Sequence, residues 1–118
     1  MFLFTLDKNE RQIPSNSGIY LMKDKTGKII YIGKAKNLKN RIKSYYNLNH
    51  KNTYNNKDRN FEKTRRMINK VYDIEFILTD NEIEAFLLES NLIKRYRPIF
   101  NIIGIFVIEI VITFNSIF

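Results

Sequence analysis

Residues 18–33 read GIYLMKDKTGKIIYIG, two apolar runs rich in β-branched and aromatic residues on either side of a polar turn. This arrangement is typical of a β-hairpin. If residues 24–27 form a four-residue loop, Tyr20 lies directly opposite Tyr31 on the neighbouring strand. Directly paired residues share one face of a sheet, so this register predicts that both phenol groups project from the same side. An aromatic pair that only stabilises the sheet would give the same pattern.

Beyond the hairpin, the spacing of apolar residues predicts two helices, a third strand and a last helix. Asn37 is a favourable N-cap for the first of these helices. Asp80 or Asn81 caps the last helix, and Pro98 ends it. The predicted ranges are a helix over 38–46, a polar loop over 47–60, a helix over 61–70, a strand over 73–79 and a helix over 82–96. This order predicts an α+β fold in which helices flank a small antiparallel three-stranded sheet.

The size and charge of the chain bound its domain count and its partners. It has 118 residues, with 20 Lys and Arg against 12 acidic residues and a formal net charge of +8. This length suits one compact domain. We expect a leader over 1–12, a single domain over 13–101 and an atypical apolar tail over 102–118. The positive charge favours a polyanionic partner, with nucleic acid ahead of an anionic membrane.

The composition also bounds the compartment and the metal chemistry. The chain has no cysteine and a single histidine, His50, which excludes a disulfide framework and disfavours a zinc site. The N-terminus has no recognisable signal peptide, which predicts a cytoplasmic protein. The 17 residues of the tail are slightly too few for a membrane span and carry Glu109 near their centre, so no membrane is expected. Their β-branched content fits an added strand or an aggregation-prone end better.

One carboxylate, that of Glu89, stands where helical spacing predicts an apolar stripe. Its neighbours three and four positions along the helix are Ala85, Phe86, Leu92 and Ile93. Burying an ionised carboxylate without compensation is costly, so Glu89 should be protonated, paired with a base or bound to a cation. A residue at the edge of the stripe that pairs with an Arg or Lys is the alternative.

Basic residues follow the second predicted strand and continue along the helices. A solvated basic face is the ordinary explanation for such a series. So many like charges are more easily explained by contacts with phosphates. The series consists of Lys34, Lys36, Lys39, Arg41, Lys43, Lys63, Arg65, Arg66, Lys94, Arg95 and Arg97.

Two tripeptides of the hairpin, Gly18-Ile19-Tyr20 and Tyr31-Ile32-Gly33, are those that name the GIY-YIG nuclease superfamily. Over residues 13–101 the chain is similar to the UvrC branch of that superfamily in particular. The similar positions are 31–39, Arg41, Ser44, Tyr45, Lys63, Thr64, 87–89, 91–94 and 98–101. The resemblance implies the GIY-YIG fold and a metal-dependent DNA endonuclease, the one that makes the 3′ incision in bacterial nucleotide excision repair.

The resemblance also implies roles for individual residues. Tyr20 and Tyr31 would line the active site, and Arg41 would contact the scissile phosphate. Glu89 would hold Mg²⁺ or Mn²⁺. The supporting catalytic residues implied are Lys34, Tyr45 and Asn101, and the DNA-binding residues expected are Lys36, Lys39, Lys43, Arg65 and Arg66. The implied partners are DNA and the UvrB–DNA complex.

The resemblance implies that one of the two strand tyrosines accepts the proton. A free phenol has a pKa of about 10, so Tyr31 as general base needs a nearby cation to lower that value. Lys34 and Arg41 are the candidates for this cation. The pattern leaves open whether Tyr20 or Tyr31 takes the proton.

Two other functions remain compatible with the sequence. One is a stand-alone GIY-YIG nuclease of the homing or restriction type, and the other is an inactive DNA-binding remnant. The retention of every named active-site position disfavours the remnant. After Asn101 the apolar tail departs from the charged segment usual in the family, which predicts a truncated UvrC with a frame-shifted or alternative ending.

Overall fold

The computed structural model describes residues 13–50 and 59–103. In these ranges the chain forms three strands and three long helices in the predicted order, followed by a short helical segment over 99–103. The elements are β1 (Gly18–Lys23), β2 (Ile29–Ala35), α1 (Leu38–His50), α2 (Arg59–Lys70), β3 (Asp73–Leu78) and α3 (Glu82–Tyr96). The predicted α+β class is confirmed. The leader over 1–12 and the tail beyond 103 lie outside the described residues.

β1 is the central strand of the sheet, which has the order β2-β1-β3 with antiparallel pairing. Alternation along the strands sends side chains to two separate apolar cores. One core lies between the sheet and helices α1 and α2, and its members include Met22 and Ile42. α3 covers the opposite face, where Ile19, Ile32 and Ala85 are buried. Helices therefore flank the sheet on both faces, as predicted.

The register of the hairpin differs from the predicted one. Tyr20 pairs with Gly33, and Met22 pairs with Tyr31. The expectation that Tyr20 lies directly opposite Tyr31 is therefore wrong by two residues. A shift of two residues leaves every side chain on its face, whereas a shift of one would reverse it. The predicted common face of the two phenols is accordingly preserved.

Hydrogen bonds in the turn explain this register. The Asp24 carboxylate accepts from the Thr26 N–H at 2.9 Å, from the Thr26 hydroxyl at 2.5 Å and from the Lys28 N–H at 3.1 Å. These bonds hold Lys28 in the loop, so Lys23 pairs with Ile29 instead. A bulge next to Lys23 then shifts the pairing by one further residue.

The N-terminal caps follow the sequence closely. The Asn37 side chain accepts a hydrogen bond from the Asn40 N–H at 3.0 Å, as predicted for the start of α1. Asn81 caps α3, because its side chain accepts from the Glu84 N–H at 2.8 Å. Asn81 is thus the cap among the two predicted candidates.

The C-terminal ends of α3 and α1 differ in whether a local sequence signal predicts them. α3 ends at Tyr96, and its C-cap is Arg97, whose backbone is left-handed with φ 47° and whose N–H donates to the Ile93 carbonyl at 2.8 Å, immediately before Pro98. The polar stretch 47–60 is not a loop at either end, because α1 continues to His50 and α2 begins at Arg59. Neither Gly nor Pro interrupts 47–50, so nothing local stops α1 there.

None of the described helices is both long and apolar enough to span a bilayer.

Candidate active site

Tyr20, Tyr31, Tyr45 and Arg41 meet on the face of the sheet that α1 covers, and we call them the tyrosine cluster. The hydroxyl oxygens of Tyr20 and Tyr45 are 2.7 Å apart. Arg41 precedes Tyr45 by one turn of α1 and donates to Tyr20 Oη at 3.5 Å and to Tyr45 Oη at 3.4 Å. The ring centroids of Tyr31 and Tyr45 lie 6.0 Å and 5.9 Å from that of Tyr20. The cluster is a connected group of three phenols around one cation.

Gly33 allows the ring of Tyr20 to lie across β2. A Cβ atom added at Gly33 would meet three atoms of the Tyr20 side chain at 2.1–2.7 Å. Tyr20 is only 1% exposed, so its ring has little free space into which it could move. The glycine of the second tripeptide therefore shapes the seat of the tyrosine in the first. This role was not predicted, because the expected register places Gly33 opposite Gly18.

Burial keeps the two strand phenols protonated. Desolvation raises the pKa of Tyr20 well above that of a free phenol, and the neighbouring Tyr45 and Tyr31 add to the rise. Desolvation also raises the pKa of Tyr31 to about 12, although Arg41 acts in the opposite direction. Of the two candidate cations, Arg41 thus acts on the pKa of Tyr31 in the expected direction, but desolvation outweighs it. The hydrogen bond to Tyr20 raises the pKa of Arg41, which stays charged.

Glu89 and Lys34 form the second part of the site, which we call the acidic corner. Glu89 lies on α3, and Lys34 lies near the end of β2. Burial raises the pKa of Glu89, while the charge and the backbone N–H of Lys34 oppose the rise. The charge of Glu89 in turn raises the pKa of Tyr31. The acidic corner and the tyrosine cluster thus interact electrostatically across β2.

The apolar surroundings of Glu89 are narrower than helical spacing predicts. Ala85 is buried, and Leu92 and Ile93 pack partly buried against the core on that face. Phe86 is 55% exposed, so the expectation of a continuous buried stripe is wrong at this position. The reason is that only one side of α3 meets the sheet. Glu89 itself is half-buried.

The donor chemistry of the acidic corner suits one hard divalent cation. Within residues 13–50 and 59–103, no basic side chain forms an ion pair with Glu89, and no three His, Asp or Glu residues gather into a metal-binding group. Mg²⁺ is commonly held by one or two carboxylates and keeps several water ligands. A single half-buried carboxylate therefore fits Mg²⁺ or Mn²⁺ better than zinc.

Asn101 acts on the backbone of β2. Its Nδ2 donates to the Ile32 carbonyl at 2.8 Å, and its Oδ1 accepts from the Ile32 N–H at 2.8 Å. The side-chain amide thus takes the place of a neighbouring strand at the outer edge of β2. Because Ile32 follows Tyr31, these two bonds fix the chain next to the tyrosine cluster. Asn101 is placed as a positioning residue.

A cleft of about 290 Å³ opens beside the tyrosine cluster, between α1, α2 and the segment at residue 100. Its lining consists of Tyr31, Arg41, Ser44, Tyr45, Lys63, Thr64, Met67 and Phe100. Lys63 was predicted as part of the basic surface and, with Thr64, as a position similar to the UvrC branch, whereas Met67 and Phe100 had no predicted site role. The adjacency of Phe100 to Asn101 is the signal that could have identified it.

The predicted DNA-binding residues divide between two sides of the site. The Nζ atom of Lys36 lies 3.3 Å from the Glu82 carboxylate, and both residues border a second cleft of about 270 Å³ next to Lys34. The other four lie on the two helices that cover the tyrosine cluster, namely Lys39 and Lys43 on α1 and Arg65 and Arg66 on α2. The exposed arginines of α2 extend the positive surface away from the first cleft.

The chain matches the family described as UvrC-like GIY-YIG domain over residues 16–102. Similar relatives include two proteins named UvrABC system protein C. The protein of Oenococcus oeni is 53% identical over 90 residues, and that of Fusobacterium nucleatum is 50% identical over 98 residues. These matches cover 76% and 83% of this chain but 13% and 15% of the two relatives. The chain therefore spans a small part of the length of these relatives.

Crystal structures of the GIY-YIG N-terminal endonuclease domain of UvrC from Thermotoga maritima are also similar. The form bound to magnesium as its catalytic divalent cation is 41% identical with a TM-score of 0.63, and the match covers 81% of this chain and 94% of that one. A point mutant in which an asparagine is replaced by alanine gives a TM-score of 0.64. Three further mutants of that domain replace single tyrosines by phenylalanine. This chain belongs to the UvrC-like GIY-YIG domain family.

Proposed function

We propose that this chain binds DNA and cleaves a phosphodiester bond with a divalent metal ion held at Glu89. The observation that carries the proposal is the meeting, across β2, of a half-buried carboxylate and a phenol network centred on Arg41. The related UvrC domain of Thermotoga maritima binds a catalytic divalent cation, which supports the same chemistry here. The net charge of +8 favours binding to DNA through its phosphates.

Arg41 binds the scissile phosphate in this proposal. Hydrogen bonds to Tyr20 and Tyr45 hold its guanidinium in place before any substrate arrives. A charged donor that is fixed in advance stabilises the transition state without reorganising during the reaction. Tyr20 is too deeply buried to touch DNA, so its part is to orient Arg41.

Tyr31 is the phenol that takes the proton from the attacking water. It lines the cleft, whereas Tyr20 is 1% exposed. With a pKa of about 12, Tyr31 holds its proton at neutral pH and must become more acidic to act as a base. Because the charge of Glu89 is one cause of the raised pKa, neutralising that charge favours deprotonation. Arg41 acts in the same direction.

The remaining residues complete the site. When bound at Glu89, Mg²⁺ or Mn²⁺ supplies Lewis-acid stabilisation for the charge that develops on the phosphate and on the leaving oxygen. Lys34 adds a positive charge beside Glu89. Asn101 holds the backbone of Ile32 and thereby the position of Tyr31.

We further propose that residues 13–101 form the functional unit and make the 3′ incision of nucleotide excision repair in the cytoplasm, on DNA that carries bound UvrB. The relatives named UvrABC system protein C support this role. These relatives are several times longer than the chain, so the role rests on the shared domain alone. A stand-alone nuclease would instead cut without any dependence on UvrB.

The activity is tested by incubating the purified 118-residue chain with supercoiled plasmid and resolving nicked from intact DNA. Nicking is expected with Mg²⁺ or Mn²⁺ and not in excess EDTA. Undiminished nicking in EDTA, or none with either metal, would contradict the proposal. Faster incision of damaged DNA carrying bound UvrB than of naked plasmid would support the repair role, and equal rates would favour a stand-alone nuclease.

A further inference from the structure

We propose that the cleft beside the tyrosine cluster binds the single-stranded nucleotide that adjoins the scissile phosphate. Its flanking phosphate contacts Lys63, and its base lies against Phe100. This subsite rests on the proposed function, because Arg41, which lines the same cleft, is there assigned the scissile phosphate. We call this cleft the nucleotide subsite.

The charge of the nucleotide subsite selects an anion. Among the residues that the structure describes, its lining contains two cations, Arg41 and Lys63, and no acidic residue. Within the described residues Lys63 forms no ion pair, so none of their carboxylates would compete with a phosphate for its ammonium group. The hydroxyls of Ser44 and Thr64 also line the cleft. These are the groups that proteins use to contact the phosphates of DNA.

The apolar half of the subsite requires more than a phosphate. Met67 is 5% exposed and Phe100 is half-buried, so both add apolar surface to the lining, and the Nζ atom of Lys70 lies over the Phe100 ring at 5.7 Å from its centroid. Proteins that bind single strands combine a positive groove with an aromatic side chain on which a base stacks. A volume of about 290 Å³ lies just below the range for small-ligand pockets, about 300–1,000 Å³. The cleft is therefore sized for one nucleotide unit rather than for a duplex.

Continuity with the catalytic group fixes which nucleotide this is. Tyr31 and Arg41 belong both to the tyrosine cluster and to the lining of the cleft. A phosphate at Arg41 thus stands at the mouth of the subsite. The nucleotide attached to that phosphate enters the cleft, while the acidic corner lies on the other side of β2 from the cleft. The subsite accordingly selects a locally unstacked strand next to the cut.

The subsite is tested by binding, without metal, so that no DNA is cut. Four-nucleotide thymidine strands are titrated into the isotope-labelled 118-residue chain and followed by NMR chemical shifts. Replacing Lys63 by Gln and Phe100 by Leu should each raise the dissociation constant by about fivefold or more. The matched controls Lys25→Gln, in the exposed turn of the hairpin, and Tyr96→Leu lie outside the cleft and should change the dissociation constant by less than about twofold.

A base-free strand separates stacking from simple phosphate binding. With an abasic four-nucleotide strand, Phe100→Leu should lose its effect, while Lys63→Gln keeps its own. Because Phe100 packs against the core, melting is measured for each variant, and Phe100→Tyr, which retains a ring, should bind like the wild type. Equal losses for Lys63→Gln and Lys25→Gln, or equal binding of the strands with and without bases, would overturn the subsite. Failure of plasmid nicking with these binding results intact would overturn the nuclease proposal alone.

Discussion

The tyrosine cluster and the acidic corner stand on either side of β2, and they differ in how completely their polar groups are satisfied. In the cluster, Tyr20, Tyr45 and Arg41 are hydrogen-bonded to one another. Among the described residues, no buried side-chain nitrogen or oxygen lacks a partner. In the corner, Glu89 is half-buried with a raised pKa, and only Lys34 opposes the rise. One half of the site is internally complete, and the other is short of positive charge.

This difference separates stability from function in a way that can be measured. Side chains that satisfy one another stabilise the fold and hold a geometry, so removing one should lower both stability and activity. A carboxylate that is desolvated without an ion pair should not stabilise the fold. Its replacement should therefore lower activity without lowering stability. The experiments below, in order of decreasing effect, either widen this contrast or remove it.

Glu89→Gln should have the largest effect, on activity. It removes the proposed metal ligand while keeping the shape of the side chain, and plasmid nicking should fall by about a hundredfold or more. The melting temperature should not fall, because a carboxylate that is costly to bury has been neutralised. DNA binding should persist, since the basic residues are unchanged.

The matched control for this change is Glu75→Gln. Glu75 is exposed and pairs with Lys23 at 2.6 Å on the surface of the sheet. Its loss should change stability by about 0.5 kcal/mol or less and leave nicking unaffected. A Glu89→Gln protein that melts clearly lower and still nicks at the wild-type rate would show that Glu89 is a structural ion-pair partner instead of a metal ligand.

Gly33→Ala should have the second largest effect, on stability. The new methyl group would overlap the buried ring of Tyr20, and such overpacking typically costs about 1–3 kcal/mol. Displacing the ring should also weaken the hold on Arg41 and lower nicking. In a Tyr20→Ala background the same replacement should cost much less, which chemical denaturation of the four proteins would show. Equal costs in both backgrounds would mean that the ring does not determine the need for glycine.

Tyr45→Phe should have a smaller effect on the cluster. The hydroxyl of Tyr20 loses a partner at 2.7 Å, and the net contribution of such a bond is about 1 kcal/mol. Tyr72→Phe is the control, because Tyr72 is largely exposed and should change stability by no more than about 0.5 kcal/mol. Equal denaturation midpoints for the two variants would show that the hydroxyl network does not stabilise the fold.

The elements of this fold could be predicted from the sequence because each carries a local signal. Caps at Asn37 and Asn81 and the stop at Pro98 are set by neighbouring residues, and the periodicity between them gives strands and helices. The common face of Tyr20 and Tyr31 could be predicted despite a wrong register, because the error was an even number of residues. The strand register itself depends on the side-chain hydrogen bonds of Asp24, which the apolar periodicity does not predict.

The surroundings of the site residues were harder to predict than their identity. Helical spacing correctly put Ala85 beside Glu89, but it could not show that Phe86 turns away from the sheet. The direction of the pKa of Tyr31 depends on desolvation by residues distant in sequence, which outweighs Arg41. Phe100 likewise reaches the cleft only because the segment after α3 packs against β2, where Asn101 binds Ile32.

The smallest expected effect is a pH dependence of stability that originates in the acidic corner. The folded protein raises the pKa of Glu89 above its unfolded value, so between the two values the folded state binds more protons than the unfolded state. The cost of burying this carboxylate is absent below the unfolded pKa and fully present above the folded one. Wild type should therefore lose stability relative to Glu89→Gln as pH rises through this window.

The size of that loss should be about 1 kcal/mol or less, because a half-exposed group is screened by solvent. It is measured as the difference between the denaturation free energies of wild type and Glu89→Gln at several pH values on either side of the ordinary carboxyl range. Taking the difference cancels the titration of the other acids. Asp24 is one of them, and its hydrogen bonds with Thr26 lower its pKa. Added Mg²⁺ should reverse the trend in wild type alone, since a ligand that binds the ionised carboxylate stabilises the folded state. If wild type instead lost stability relative to Glu89→Gln as pH falls, the protein itself would stabilise Glu89 as an anion. The contrast between the two halves of the site would then disappear.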